Sequence, residues 1–440
     1  MQVLIQVAQL ILALTILVFI HELGHFLAAR AFGVKVEKFF IFFDAWGKKI
    51  WSFKRGETEY GIGWLPLGGY VKIAGMIDES LDKDAMKSEP QPWELRSKKN
   101  WQKFIVMIAG IVMNVILGIL LYIFILHNYS THYTSIDAIN KDGGVYAAEA
   151  GRQYGFESGD KLVSINGKSY ERIDDFLSAR LYFGSEVVVD RGGKQITIEV
   201  PDSAFRDKMR GKSIIDIRSV VSVKGLSDSL DYARKAGMQT GDKIVSIDSI
   251  PITCFSQLTE LLSAHKEGQV WVTVERKNES VTMPVQVDKK GRIGFEPTAK
   301  YYSYDSTRYT LGKSISYGTR DAFEVFYFQA ISIWRIMRGD IPARDAVSSP
   351  IAIAQLFAPK WDWASFWMLT ALLSMVLAFM NLLPIPALDG GHILFIGIES
   401  IIGRKLSDTF MERAQVVGMI MLLALMVFAV GNDVLKMIGL

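Results

Sequence analysis

Four stretches of this chain contain no Asp, Glu, Lys or Arg: residues 1–20, 104–126, 366–388 and 414–431. Each is long enough to cross about 30 Å of hydrocarbon as a helix. In lipid a spanning segment must satisfy its own backbone, so these runs predict a multi-pass α-helical membrane protein with four transmembrane helices. Charge in the short loops then orients it. Residues 30–103 carry fourteen Lys and Arg, with Arg96, Lys98, Lys99 and Lys103 beside the second run. Arg404, Lys405 and Arg413 separate the third run from the fourth, while none precedes the first and only Lys436 follows the last. By the positive-inside rule both termini lie outside, both basic loops face the cytoplasm, and the segment from His127 to about Phe366 is external. Trp361, Trp363 and Trp367 fit an aromatic anchor at the outer end of the third span. The first run has no basic flank and no small-residue cleavage site, and reads as a retained helix.

Half of the 440 residues are apolar and the formal charge is only +3. That balance argues against nucleic acid as a partner and for a bilayer protein with sizeable soluble parts. A single cysteine, Cys254, excludes an intramolecular disulfide and a Cys-based zinc site.

The first apolar run ends in His21-Glu22-Leu23-Gly24-His25. Imidazoles at i and i+4 share one helix face and can hold one zinc ion, and Glu22 can then deprotonate a zinc-bound water. A charge there costs roughly 2.5–3.5 kcal/mol at the bilayer centre, which marks Glu22 as functional. The bland alternative is an interfacial charge flanked by two amphipathic histidines. The first and third runs cross in the same direction, so their far ends sit at one depth. The third ends in residues 381–392, which include Asn381, Pro384, Pro386, Asp389 and His392. Two prolines one residue apart must break the helix, and such a break is tolerated only where protein or a cavity satisfies the backbone. Asp389 is a natural third zinc ligand that leaves a fourth position open. His392 is its rival, and a helix-terminal charge is the plainer reading of Asp389.

Residues 36–43, 50–53, 58–64 and 70–73 alternate aromatic and β-branched residues between turn signals and predict short strands. Residues 76–100, with Pro90 and Pro92, read as a polar linker. In the second run Gly110-x-x-x-Asn114 permits close helix approach, and Asn114 reads as a packing residue. Residues 155–167 recur as 237–249 with seven of thirteen positions identical at an offset of 82. Each copy is a Gly-Asp turn feeding a strand, followed by a helical stretch (173–182; 254–265) and a β-rich stretch (186–200; 269–287). This order resembles tandem PDZ domains of α+β type, which bind chain ends by strand addition. Residues 314–337 are aromatic-rich and predict an amphipathic helix lying on the outer membrane surface or under the PDZ-like pair.

The pairing of His21-Glu22-x-x-His25 with Asn381-x-x-Pro384-x-Pro386-x-Leu388-Asp389-Gly390 resembles the site-2 protease family of intramembrane zinc metalloproteases, over nearly the whole chain. The resemblance implies that His21, His25 and Asp389 bind zinc, that Glu22 is the general base, and that Asn381, Pro384 and Pro386 help hold substrate. It implies a cytoplasmic sheet that dips into the membrane and offers an edge strand to an unfolded substrate segment. Here that edge is Gly69, Tyr70 and Val71, and an ordinary hairpin is the alternative. Relatives carry Gly-Phe-Gly earlier in this loop, whereas this chain has Phe39 to Trp46 in its place. The substrate implied is a single-span membrane protein already trimmed outside, an anti-sigma factor in envelope-stress signalling. The implied setting is a bacterial inner membrane, with termini and PDZ-like domains periplasmic and the active site towards the cytoplasm. The PDZ-like pair would act as a size filter or a ligand sensor.

The expected division is a first transmembrane helix (1–31), a cytoplasmic β-rich re-entrant loop and linker (32–103) and a second helix (104–126). Two PDZ-like domains (127–220; 221–309) and external amphipathic helices (310–360) follow. The third helix with its break (361–392) precedes a cytoplasmic loop with the fourth helix (393–440). The rival functions are a membrane-anchored PDZ scaffold without proteolytic activity and, more weakly, an ion transporter. The latter lacks the inverted repeat of spans expected of it.

Overall fold

A computed structural model describes residues 2–65, 68–76, 89–129, 132–209, 212–227, 230–301, 306–340 and 349–437. It divides into two units, one formed by Met1–Thr131 with Tyr309–Leu440, the other by His132–Arg308.

The first unit is built on four helices long and apolar enough to cross a membrane: Gln2–Ala31, Asn100–Asn128, Trp363–Leu382 and Thr409–Asp433. The chain is a membrane protein. The first helix is unbroken for 30 residues, about 45 Å, so the His21–His25 turn lies in its last third. It packs on the second helix through glycine. A Cβ on Gly24 would fall 2.4 Å from the Ala109 carbonyl oxygen, and one on Gly110 would fall 2.4 Å from His25 Nε2. Small residues at such a crossing replace the hydrophobic drive that lipid removes.

Between these helices lies a four-stranded sheet of β1 (Val36–Ile41), β2 (Lys49–Arg55), β3 (Thr58–Gly63) and β4 (Tyr70–Ile73), in the order β2-β3-β1-β4. β1 runs parallel to β3 and antiparallel to β4, with Phe39 opposite Val71 and Phe40 opposite Tyr70. β4 is therefore an edge. Alternate residues Val34, Val36, Val71 and Ile73 bury against Ala29 of the first helix and Met107 of the second. Of the linker expected over 76–100, residues 77–88 lie outside the described residues. Its far end docks on the sheet, where the Leu95 amide donates to the Ala74 carbonyl at 2.8 Å and Leu95 is buried.

The aromatic stretch after residue 310 forms the helix Leu311–Met337. It does not lie alone on a membrane surface. Its buried stripe is small, Ser314, Gly318 and Ala322 at a spacing of four, and it seats this helix against the second and third spanning helices. A Cβ on Gly318 would meet the Ile123 backbone at 2.8 Å, Ala322 packs with Tyr122, Ile125, Ala371 and Met375, and Phe326 meets Phe379 edge-on at 5.6 Å. Aromatic content alone did not reveal that stripe. A second departure follows the double-proline break. Residues 389–392, expected as the end of the third helix with its break, and 393–402, expected as the start of a loop, form one helix (Asp389–Ile402) closed by Gly403 in the left-handed conformation. Its far end is tied to the base of the second helix, with Lys103 Nζ 3.7 Å from the Glu399 carboxylate and Asn100 Nδ2 donating to Ser400 Oγ at 3.0 Å.

In the second unit the sequence repeat is also a structural one. Strands Lys161–Ile165 and Lys243–Ile247 follow the two Gly-Asp turns. Each leads through a helical segment to a hairpin, Ser185–Arg191 with Lys194–Val200 and Gln269–Arg276 with Glu279–Gln286. In the first copy the helical segment splits into Ile173–Phe176 and a 3₁₀ turn at Ala179–Tyr182, while the second is continuous, Phe255–Ala264. Both turns carry one ion pair. Arg191 Nε and Nη2 donate to the two oxygens of Asp160 at 2.7 and 2.9 Å, and Arg276 does the same to Asp242 at 2.8 and 2.7 Å. The same arginines donate to Gly155 and Gly237 carbonyls. These arginines lie 85 residues apart rather than 82, so the repeat in turn residues did not reveal them.

Candidate metal centre

His21 and His25 project from the same face of the first helix, both buried, their ring centroids 4.8 Å apart. Asp389 enters from the N-terminal residue of the helix Asp389–Ile402. Its Oδ2 lies 3.0 Å from His21 Nε2 and 3.3 Å from His25 Nε2, and the two Nε2 atoms are 3.2 Å apart. One ligand atom from each residue falls within 4.8 Å of the others, and among the described residues no other group of three histidine, cysteine or acidic side chains converges in this way. His392 stands three residues beyond Asp389 and is outside that group.

The double-proline segment delivers Asp389. The third spanning helix ends at Leu382, and the chain turns with Ile385 donating to the Leu383 carbonyl at 2.7 Å and Leu388 to the Ile385 carbonyl at 3.0 Å. Ala387 takes φ +80°, an uncommon conformation outside glycine that lets the chain re-enter. Gly390 and Gly391 are buried where the new helix folds back. A Cβ on Gly390 would sit 2.1 Å from the Leu383 carbonyl oxygen, and one on Gly391 would sit 2.6 Å from that of Ile385. Pro384 is exposed and Pro386 half-buried. The Pro386 backbone rests on the fourth spanning helix, where a Cβ on Gly418 would collide with it at 1.8 Å. Asn381 Nδ2 comes within 3.2 Å of His21 Nε2, on the face where the three ligand atoms meet.

Three observations test whether a cation suits this place. His25 Nδ1 lies 2.8 Å from the Val106 carbonyl oxygen, to which it can only donate, so Nε2 of the neutral ring presents a lone pair. Asp389 Oδ2 is buried and has no hydrogen-bond donor. Two acceptors thus meet His21 Nε2 at 3.0 and 3.2 Å in a low-dielectric setting, an arrangement a divalent cation relieves. The donor set, two imidazole nitrogens and one carboxylate with one side open, is that of a catalytic zinc site. Glu22 follows His21 on the same helix and is half-buried.

The proposed substrate edge lies close by. Gly69 passes tightly against the first helix, since a Cβ there would come within 2.9 Å of Val18 Cγ1, one turn before His21. Val71 is buried against the helix and sheet. Tyr70 stacks on Phe43 at 5.8 Å, and its hydroxyl donates to Asp44 Oδ1 at 2.7 Å. Lys38 donates to the other oxygen at 2.8 Å. Burial works against the charge on Asp44, but these two donors outweigh it and hold the carboxyl below the usual carboxylate range. Phe42 takes φ +67°, Phe43 bridges to Leu65, and Ala45–Gly47 form a 3₁₀ turn with Trp46 at φ +55°.

One residue near the centre had been read as packing. Asn114, fully buried on the second helix, places its amide nitrogen 3.3 Å from His21 Nδ1. Its position four residues after Gly110 was visible. Its proximity to His21 depends on the register of two helices 93 positions apart.

Residues 9–425 match the model of Peptidase family M50. The chain is 28% identical over 474 residues to the regulator of sigma-E protease RseP of Salmonella typhimurium, covering 98% of this chain and 99% of that protein. It is 28% identical over 468 residues to RseP of Escherichia coli, covering 97% of each. A Vibrio cholerae protein named as a candidate zinc metalloprotease is 27% identical over 451 residues, covering 96% of this chain and 97% of its own length. With three-quarters or more of its length inside the family model, four spanning helices and a two-histidine, one-carboxylate centre, the chain belongs to peptidase family M50, the zinc-dependent metalloproteases of site-2 type.

Proposed function

We propose that His21, His25 and Asp389 hold the zinc, that Glu22 is the general base, and that the enzyme cuts a peptide bond within or near the transmembrane segment of a single-span protein. The observation that carries this is the meeting of one ligand atom each from His21, His25 and Asp389, on two helices over 360 positions apart in sequence, the first of them long enough to span. Zinc bound there supplies Lewis acidity to the scissile carbonyl and to a water. Glu22 takes the proton of the attacking water and returns it to the leaving amine as the amide bond breaks. The Asn381 amide, beside the metal-facing nitrogen, is a donor for a substrate carbonyl. Pro384 and Pro386 hold the turns at Leu383–Ile385 and Ile385–Leu388 beside Asn381 and help hold substrate there.

A substrate helix must unwind to be cut, and its freed backbone needs partners. Gly69, Tyr70 and Val71 are suited to this because β4 is a sheet edge that runs past the first helix one turn from His21. Relatives named for sigma-E regulation support an anti-sigma factor, trimmed beforehand on its outer side, as the substrate class. The same relatives and the basic loops support an inner-membrane location with both termini and two PDZ-like domains on the periplasmic face. The paired Asp-Arg turns support reading His132–Arg308 as that tandem repeat.

The test is cleavage of a model single-span substrate in detergent by the wild type and by Glu22→Gln, together with zinc analysis. The expected result is one zinc in each and a rate lower by about 10²–10⁴ in the variant. Full activity in Glu22→Gln would remove Glu22 from the reaction.

A further inference from the structure

We infer that Asn114 is a positioning residue for His21, its side-chain oxygen accepting from Nδ1–H and thereby fixing the tautomer whose Nε2 faces the metal. This rests on the reading of His21 as a zinc ligand through Nε2. That nitrogen lies 3.0 Å from Asp389 Oδ2 and 3.2 Å from both His25 Nε2 and Asn381 Nδ2, so it faces the centre. A neutral imidazole that offers Nε2 carries its proton on Nδ1. The group meeting Nδ1 is the Asn114 amide, at 3.3 Å.

With the amide nitrogen turned towards the ring, two donors would oppose each other, and Asn114 Oδ1 is left buried with no partner. A half-turn of the amide fills the same space and turns its oxygen to the ring. Oδ1 then receives the proton of Nδ1, and Nδ2 takes the position that Oδ1 leaves. His25 meets the same requirement with a backbone acceptor, the Val106 carbonyl, two turns earlier on the same helix. The second spanning helix thus orients both imidazoles. Gly110, between the two contacts, lets its backbone come close, since a Cβ there would be 2.8 Å from His21 Cε1. Ser374 of the third helix donates to the Asn114 backbone carbonyl at 2.8 Å and fixes its height.

The test uses full-length protein purified in detergent, with zinc content, the rate of zinc loss to a chelator and the visible spectrum after cobalt(II) substitution as readouts. Asn114→Leu keeps the volume and removes the acceptor, while Asn114→Asp keeps the acceptor. The leucine variant should bind zinc about 10–100-fold more weakly with an altered cobalt spectrum, whereas the aspartate variant should stay close to wild type. Zinc held as tightly in Asn114→Leu as in wild type overturns the inference, because packing alone would then explain Asn114. Loss in Asn114→Asp equal to that in Asn114→Leu overturns it too, because the amide would then be acting as a donor. If Asn114→Leu yields no folded protein, Asn114→Ala carries the same comparison, and undiminished affinity there is the refuting result. His21→Ala is the control for the underlying reading. Undiminished zinc in that variant defeats the ligand assignment itself, an outcome distinct from either failure of Asn114.

Discussion

At the scale of residues, the proposed centre draws on three helices, with His21 and His25 from the first spanning helix, Asn114 from the second and Asp389 from the helix Asp389–Ile402. His21, Glu22, His25 and Asp389 announce themselves through spacing and through the oddity of charge next to hydrocarbon. Asn114, Arg191 and Arg276 do not, because their partners lie 93, 31 and 34 positions away and no local period marks them. Glycines carry a further share of the site. Gly110→Ala should drive a methyl to within 2.4 Å of His25 Nε2, and zinc retention after dialysis should fall at least about tenfold. Two titrating groups outside the membrane make checkable predictions. Burial pushes the Cys254 thiol up to about 12, so the native protein should resist maleimide at neutral pH and react once unfolded. Burial opposes ionisation of Asp242, but donation from Arg276 overrides it and holds the carboxyl below the usual range. A depressed folded pKa stabilises above the unfolded value of about 3.9 and loses that contribution as pH falls through the lower folded value. Arg276→Met should therefore open the second repeat faster than wild type at pH 7, with the gap narrowing as the pH falls below about 3.9. Hydrogen exchange over Lys243–Ile247, corrected for the intrinsic rate, measures it.

At the scale of elements, spans and strands followed from charge-free length and two-residue alternation; a spanning helix covers each charge-free run except the broken end of the third, and the four strands of the first unit lie within two residues of expectation. What the pattern could not give is which faces meet. The helix Leu311–Met337 looks like a surface helix by its aromatics, yet its contact stripe is Ser314, Gly318 and Ala322, residues that hydropathy scarcely counts. The helix Asp389–Ile402 was hidden because a Pro-rich break precedes it and two glycines, Gly390 and Gly391, stand in its first turn. Its stability matters to the metal centre, since Asp389 is its first residue. Glu399, at its far end, is paired with Lys103 and also accepts from the Leu406 amide at 3.0 Å. Glu399→Leu should leave Lys103 buried without its charge partner and cost about 3 kcal/mol. The double variant Glu399→Leu with Lys103→Leu should recover most of this, because an apolar pair replaces a buried ion pair at little cost. Thermal unfolding gives the energies, and zinc content in the single variant reports how far Asp389 has moved. A double variant no more stable than the single would show that the two charges are not coupled.

For the whole molecule, the sequence separated a membrane part from an intervening soluble part, and the way the chain joins them is a structural fact. His132–Thr134 pairs antiparallel with Ser306–Arg308, His132 opposite Arg308. The second unit therefore leaves and returns through neighbouring strands, with facing Cα atoms about 5 Å apart. Joining the second spanning helix to the helix at Leu311 by a short Gly-Ser linker would thus replace His132–Arg308 without straining the first unit. The proposed zinc ligands, Asn114 and β4 all belong to that first unit, so the shortened protein should keep its zinc. If the repeat pair acts as a size filter, wild type should cut a single-span substrate with its outer domain removed and spare the intact one, whereas the shortened enzyme should cut both. Cleavage of the two substrates by both enzymes, with zinc measured in each, decides it. A shortened enzyme that keeps zinc and still spares the intact substrate would locate the discrimination within the membrane part and leave the repeat pair as a ligand sensor.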